Sequence, residues 1–447
     1  MIGWRRIKLG DISDMCLGKM LDQEKNKGEF QPYLANINVR WGSFELTNLN
    51  MMRFEESEQD RYGLKYGDIV ICEGGEPGRC AIWKEELSKM KFQKALHRVR
   101  IRENFSNEFV YYRFLLAGRN GELKNYFIGS TIKHLTGIAL KEVEFEYPSF
   151  KEQQNLVSVL SALDSKIELN NRINCELEAM AKTLFDYWFV QFDFPDQHGR
   201  PYRSSGGEMI WNSELKREIP DGWEARKMSD WIAADKSGDW GKESIEGKFT
   251  KKVICIRGAD INGLNGLEEL NPPTRFILEK NAHKILNSHD LIIEISGGSP
   301  TQSTGRLAYI TDATLERFKN PLICSNFCKA ISLKEKKLLY NFAYYWNSLY
   351  ENDTFFGYEG KTSGIKNLLF DSFVNSYWTV VPADEVVEKF YSFMNNIQVK
   401  RQTALDENQQ LAELRDWLLP MLMNGQVTVP ERALHGPNQK AIHSGRF

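Results

Sequence analysis

Few residues in this chain have the type and spacing that chemistry demands. Asn271-Pro272-Pro273-Thr274 has the frame of the tetrapeptide with which amino-methyltransferases hold an extruded base. There the fourth position is an aromatic ring that stacks on the base, and Thr274 cannot stack. No glycine-rich turn for a methyl donor precedes it, so these residues read as a turn. Glu73-Gly74-Gly75-Glu76-Pro77-Gly78-Arg79 and Ser296-Gly297-Gly298-Ser299-Pro300 have the glycines of a phosphate loop but lack the Lys-Ser or Lys-Thr that completes one. Glycines there suit a main chain that approaches a DNA backbone closely. His97 and His134 have no nucleophile or carboxylate partner in a recognisable motif and read as core or surface histidines. The acidic residues form no metal or nuclease cluster. The seven cysteines are irregularly spaced, with Cys324 and Cys328 the closest pair, so free thiols in a reducing cytosol are expected. Neither a catalytic nor a metal-ligating residue is expected in this chain.

Residues 89–102, KMKFQKALHRVRIR, are different. Lys89, Lys91, Lys94, Arg98, Arg100 and Arg102 stand there without an acid among them. Arg98, Arg100 and Arg102 alternate, so a strand would project them from one face. The reading is a contact with a DNA backbone or groove, against the alternative of a solvated basic strand. Gly74, Gly75, Arg79 and Lys133 join them as candidates, and so do Gly297, Gly298, Arg306 and Lys366. Net charge is −2, from 58 basic and 60 acidic residues, which argues against a non-specific polyelectrolyte binder.

These residues need elements to position them. A chain of 447 residues suggests about three units. Its composition is that of an ordinary globular protein, and no apolar run has the length of a spanning helix. MIGWRRIKLGD has no apolar core after its basic residues and does not read as a secretory signal, so a cytoplasmic chain without a membrane anchor is expected.

The chain also repeats itself. Trp4 to Ile12 is matched by Trp223 to Trp231, 219 residues on. Tyr33 to Val39 resembles Cys255 to Ile261, and Gly67-Asp68-Ile69-Val70-Ile71 resembles His289-Asp290-Leu291-Ile292-Ile293. Gly78-Arg79-Cys80-Ala81 matches Gly305-Arg306-Leu307-Ala308, and Ile132-Lys133-His134-Leu135 matches Ile365-Lys366-Asn367-Leu368. The offset grows smoothly, as loop insertions would make it grow.

Each half opens with about 150 residues of short apolar runs broken by Gly, Pro, Asn and Asp, and closes with a long helix. Pro148-Ser149 starts the first helix, whose seam holds Leu156, Leu160, Leu163, Ile167, Leu177 and Leu184 at steps of four and three. Pro382-Ala383-Asp384 starts the second, with Phe390, Phe393, Ile397, Leu411, Leu414 and Leu418 at the same spacing, and Pro420 and Gly425 mark its end. Neither helix hides its seam alone, so the two are expected to pair antiparallel. The expected fold is α+β: two globular α/β domains in tandem pseudo-repeat, separated by two long helices that form an antiparallel coiled coil. The boundaries are a first domain at 1–150, a first helix at 151–191, a polar central linker at 192–222, a second domain at 223–382, a second helix at 383–425 and a flexible tail at 426–447.

This combination resembles the specificity subunit of type I restriction–modification enzymes over nearly the whole chain. FDFPDQHGRPY at 192–202 and SSGGEMIWNSELKREIPDGW at 204–223 look like that family's central region. Pro148 through Gln153-Gln154 resembles the start of its first conserved helix, and Leu414 to Pro420 followed by Gly425 resembles the end of its second. The two domains align only weakly outside the shared blocks, as domains reading different sequences would. The resemblance implies a non-catalytic subunit that binds double-stranded DNA, each domain reading one half of a split, asymmetric target. The helices would set the separation and dock two modification (methyltransferase) subunits, which would carry S-adenosylmethionine and perform adenine N6 methylation. Restriction/translocase subunits would join them, and this chain would hold no cofactor. The alternatives are a coiled-coil scaffold or adaptor without DNA specificity, and a single-chain methyltransferase, which the missing donor motif disfavours.

Overall fold

The same strand order recurs in each half of the chain. A computed structural model describes residues 3–20, 22, 26–47, 49–299, 301–362 and 364–429, so most of the expected tail lies outside the described residues. The chain divides into two compact units, Met1–Lys166 with Gln410–Phe447, and Ile167–Gln409. Each holds one globular domain and a stretch of both long helices.

In the first unit, Ser13–Leu17, Leu96–Ile101, Ile69–Cys72 and Cys80–Ile82 lie side by side in an antiparallel sheet. A second sheet sets Glu29–Leu34 between Asn50–Phe54, antiparallel, and Lys91–Phe92, parallel. Arg5–Lys8 pairs with Glu144–Tyr147. Ile69–Cys72 is buried throughout because both faces of its sheet are covered. Ile69 and Ile71 pack with Val99 under the helix Asn107–Asn120, while Val70 and Cys72 face Leu34, Val39 and Phe92. Ser106 caps that helix, its hydroxyl accepting from the Phe109 amide at 3.1 Å.

The second unit repeats the plan. Ile232–Ser237, Cys328–Leu333, Asp290–Glu294 and Leu307–Tyr309 form the four-stranded sheet. Phe249–Ile256 lies between antiparallel Thr274–Leu278 and parallel Leu322–Cys324, and Glu224–Lys227 pairs with Trp378–Val381. Leu291 and Ile293 face one core and Ile292 the other, as their counterparts do. Asn271-Pro272-Pro273 leads without a turn into the strand Thr274–Leu278, so the expected turn is instead an irregular approach to a sheet.

The long helices span Phe150–Phe185 and Asp384–Met423. In the first unit Leu156, Val157 and Leu160 share a core with Leu419, Leu422 and Met423, so the start of one helix meets the end of the other. Asp164 receives Arg415 Nη1 at 2.8 Å and the Tyr112 hydroxyl at 2.6 Å. Pro420 does not stop the helix but sits inside its last turn. The end comes at Gly425, left-handed at φ 62°, whose N–H bonds the Leu422 carbonyl while that of Gln426 bonds Met421, a Schellman closure. Arg113 Nη1 donates to the Met423 carbonyl at 2.8 Å, a cation at the negative end of the helix.

In the second unit the pairing is more polar. Asn170 Nδ2 donates to Glu407 Oε2 at 2.7 Å and to Asn408 Oδ1 at 2.9 Å, and Arg401 pairs with Glu178. Leu156, Leu160, Leu163, Ile167, Leu177 and Leu184 are buried or half-buried as expected. On the second helix Phe390 and Ile397 are buried and Leu411 and Leu418 half-buried, but Phe393 is 44% and Leu414 43% exposed. The buried stripe there runs one residue further on, through Met394, Arg401, Arg415 and Leu419. The expected spacing followed the larger apolar residue at each step, whereas carboxylates on the first helix let arginines occupy the pairing face.

The central segment is packed, although its composition suggested a polar linker. Met209–Asn212 and Arg217–Pro220 form a hairpin, and the Phe194 ring stacks on Tyr202 at 4.6 Å and on Trp223 at 5.0 Å. A π turn at Asp186–Val190 ends the first helix and delivers Trp188 and Phe189 to this cluster. Among the described residues no helix is long and apolar enough to cross a membrane.

Candidate nucleic-acid interface

Four loops meet at one end of the four-stranded sheet in the first domain. They are the turn at 35–38, the glycine loop at 73–79, the turn at 93–96 and the bridged loop at 128–135. Their backbones hold one another: Glu73 N donates to Ala95 O at 2.9 Å, Leu135 N to Glu73 O at 2.8 Å, and Gln93 N to Leu34 O at 3.1 Å. Asn36 Nδ2 donates to Gly74 O at 2.9 Å and Arg79 Nη2 to Asn36 O at 3.0 Å. His134 packs against Gly74, and the bridge Ile128–His134 closes the fourth loop. Gly74, Gly75 and Arg79 of the glycine loop are thereby brought to the distant loop that carries Lys133.

The second domain repeats the three backbone bonds of this frame. Ile295 N donates to Phe327 O at 2.9 Å, Leu368 N to Ile295 O at 2.9 Å, and Ser325 N to Ile256 O at 2.8 Å. Here the fourth loop is a full hairpin, Glu359–Thr362 with Ile365–Leu368, and Gly297 pairs with Lys366 across it. Gly297 and the buried Lys366 are therefore brought together, Gly298 follows in the glycine loop, and Arg306 stands at that loop's end.

Charge is handled locally. Arg306 is clamped by Glu294 at 2.8 and 2.7 Å, and this pairing, largest among several influences, holds its guanidinium firmly protonated. Lys366 Nζ lies 3.2 Å from Glu359 Oε2, and Arg79 Nη1 3.2 Å from Glu76 Oε2. His97 is buried with its Nε2 3.6 Å from Glu73 Oε2, and burial lowers the pKa of the ring although Glu73 pulls the other way. The exposed side chains include Ile37 and Ile132, at 68% and 66%, with Lys94 and Lys133, and in the second domain Phe327 and Ile365.

The basic stretch is acid-free only along the sequence. Arg98 is buried, its Nη2 2.8 Å from Asp14 Oδ2 and its Nη1 donating to the Arg61 carbonyl at 3.1 Å. Arg100 grips the buried Asp68 carboxylate with two bonds of 2.7 Å. Lys91 is buried and donates to Gln59 O at 3.1 Å. Arg102 lies beyond the strand, exposed, with one bond to Asp11 O at 3.0 Å. Lys89, Lys94 and Arg102 are thus the exposed members, and only Lys94 sits in the four-loop face. Sequence reasoning missed Asn36, Phe327 and the turns at 93–96 and 325–328. The duplication offset was the one signal that could have aligned those turns. Among the described residues no group of His, Cys, Asp and Glu could hold a metal ion.

Residues 1–179 match the family described as type I restriction modification DNA specificity domain. The specificity subunit of the type I restriction enzyme MjaIX from Methanocaldococcus jannaschii is 25% identical over 370 residues, 82% of this chain and 78% of that protein. The HindI specificity subunit from Haemophilus influenzae is 34% identical over 205 residues, 43% of this chain and 42% of that protein. The crystal structure of a type I restriction–modification S subunit from M. genitalium covers 94% of this chain and 96% of its own, with a TM-score of 0.51 at 17% identity, a likeness of fold. Residues 1–179 thus match a type I restriction modification DNA specificity domain, and over most of its length the chain is similar to a type I restriction enzyme specificity subunit in sequence and to a type I S subunit in fold.

Proposed function

We propose that each domain reads one half of a split, asymmetric double-stranded DNA target through its four-loop face. The observation that carries this reading is the duplicated backbone frame bearing different side chains: a constant scaffold with a variable surface is what two readers of different sequences need. Two modules on a stiff connection bind two sites tightly only when the spacing fits. The long helices are read as that connection, and as the platform for two modification (methyltransferase) subunits. Leu169, Ile173 and Met180, exposed along one side of the first helix, and Trp417 on the second supply apolar area for docking.

The chain itself does no chemistry on this reading. The modification subunits hold S-adenosylmethionine and transfer its methyl group to adenine N6, and restriction/translocase subunits complete a cytoplasmic complex. With Arg98, Arg100, Arg306 and Lys366 engaged by carboxylates, phosphate neutralisation falls to Lys94, Lys133 and the partner chains. The test is a binding titration of labelled duplex DNA with this chain, with its modification subunits, and with both. Sequence-selective retention only when this chain is present is expected. Equal retention of all duplexes would leave a scaffold without specificity.

A further inference from the structure

We infer that the turn at 325–328 reads base edges and that Phe327 makes an apolar base contact in the half-site of the second domain, an inference that rests on the recognition reading above. The turn and its counterpart at 93–96 are closed by the same backbone bonds, although Ala95 is left-handed where Phe327 is not. Leu96 N bonds Gln93 O at 3.1 Å and Cys328 N bonds Ser325 O at 2.9 Å. A glycine clamps each from behind: a Cβ on Gly18 would come 2.2 Å from the Gln93 carbonyl oxygen, and one on Gly238 1.9 Å from that of Ser325. In front, the Phe327 carbonyl accepts from both Ile295 N and Ser296 N, at 2.9 and 3.1 Å. The turn is held on both sides, so its protruding side chains can change without moving it.

They do change. The first domain shows Lys94 and Ala95, with Ala95 forced to φ 101°. The second shows Asn326, exposed, and Phe327, 52% exposed between buried Ser325 and buried Cys328. A ring on rigid backbone has only two side-chain torsions to fix and loses little freedom on contact. The duplex features that take an apolar ring are the thymine C5-methyl group and the gap between base steps. The exposed amide of Asn326 beside it is of the type that pairs with adenine. Lys94, at the matching place, offers the first half-site a cation instead. The two domains thus differ in reading chemistry at matching turns.

The test sequences methylated DNA from cells carrying the modification subunits with the wild-type chain, Phe327→Ala, Phe327→Leu or, as a control, Lys94→Ala. Phe327→Ala is expected to relax one or two neighbouring positions in one half of the motif. It should weaken binding of the complex to a duplex bearing that motif by roughly ten-fold, with non-cognate binding unchanged. Leucine should restore part of the loss. Deoxyuridine in place of each thymidine of that half separates the two contacts: equal weakening of the wild type, with no further effect in Phe327→Ala, assigns the methyl group, and insensitivity assigns the base step. An unchanged motif with unchanged affinity, or equal weakening on all sequences, overturns the inference while the recognition reading stands. If the wild-type complex methylates without sequence restriction, the recognition reading falls and takes this inference with it.

Discussion

Asp68 and Asp290 occupy the same turn in the two domains, and both are buried. Each accepts from a backbone amide three residues back, Lys65 N at 2.7 Å and Asn287 N at 2.8 Å. In the first domain the charge is met by Arg100 from the strand Leu96–Ile101, in the second by Lys236 from the strand Ile232–Ser237, at 2.7 Å. The need for a counter-charge persists because an unpaired buried carboxylate is expensive. Which strand supplies it does not, since a long lysine from the next strand but one reaches the site as well as an arginine from the adjacent strand. The preceding residue teaches the same: Gly67 and His289 are both left-handed, at φ 86° and 73°. Histidine bears the strain there while bonding the Tyr391 hydroxyl at 2.6 Å. The backbone frame is held in common, and the side chains that satisfy it are interchangeable.

The sharpest way to break this comparison is to remove the cations. Arg100→Ala should destabilise the first domain by about 3 kcal/mol, and Lys236→Ala the second by about 2, because the lysine makes one bond to Asp290 where the arginine makes two to Asp68. Chemical unfolding of the full chain followed by hydrogen exchange would assign each loss to its domain. Ser332 faces Asp290 across the sheet, so Ser332→Arg in the Lys236→Ala background should recover more than half of the loss. No recovery would mean that the two sites are not equivalent.

Gly67→Ala should cost about 1–2 kcal/mol from its left-handed backbone, and a Cβ there would also press within 2.9 Å of Asn107. His289→Gly should be nearly neutral, relief of strain offsetting the lost hydrogen bond. Thermal unfolding of both variants checks this. The exposed cations give a smaller effect of another kind: Lys94→Ala or Lys133→Ala should leave stability unchanged and each lower the salt dependence of DNA binding by about one ion, whereas Arg102→Ala, outside the four-loop face, should leave it unchanged.

The smallest effect is on pH. Burial lowers the pKa of His97, so as pH falls below about 6.5 the unfolded chain takes up a proton that the folded first domain does not, and that domain loses stability. Lys329 pairs beside Asp290–Glu294 at the place that His97 takes beside Ile69–Cys72, so the second domain has no histidine there. His97→Gln should bring the two domains' hydrogen-exchange profiles between pH 7.5 and 6 closer together.

The duplication was legible because the residues that fix backbone, such as Gly78-Arg79 with Gly305-Arg306 and Ile132-Lys133 with Ile365-Lys366, recur in the sequence. The long helices were legible from their spacing and start signals. Partners from distant segments were not: nothing near 89–102 announces that Asp14 and Asp68 will take Arg98 and Arg100. Arginines on the helix-pairing face were hidden for the same reason, since Glu178 and Asp164 lie on the other helix. The turns at 93–96 and 325–328 share backbone bonds and almost no side chains, so in the sequence only the offset of the flanking repeats could align them. The packing of the central segment rests on scattered aromatic residues among turn formers, where composition points the other way.

The central claim is that each domain reads its own half-site. Residues 1–147 can be replaced by the corresponding unit of a relative with a different target, and methylated DNA sequenced from cells carrying the chimaera with its modification subunits. One half of the methylated motif should change while the other half stays as in the wild type. A change in both halves, or in neither, would contradict the account.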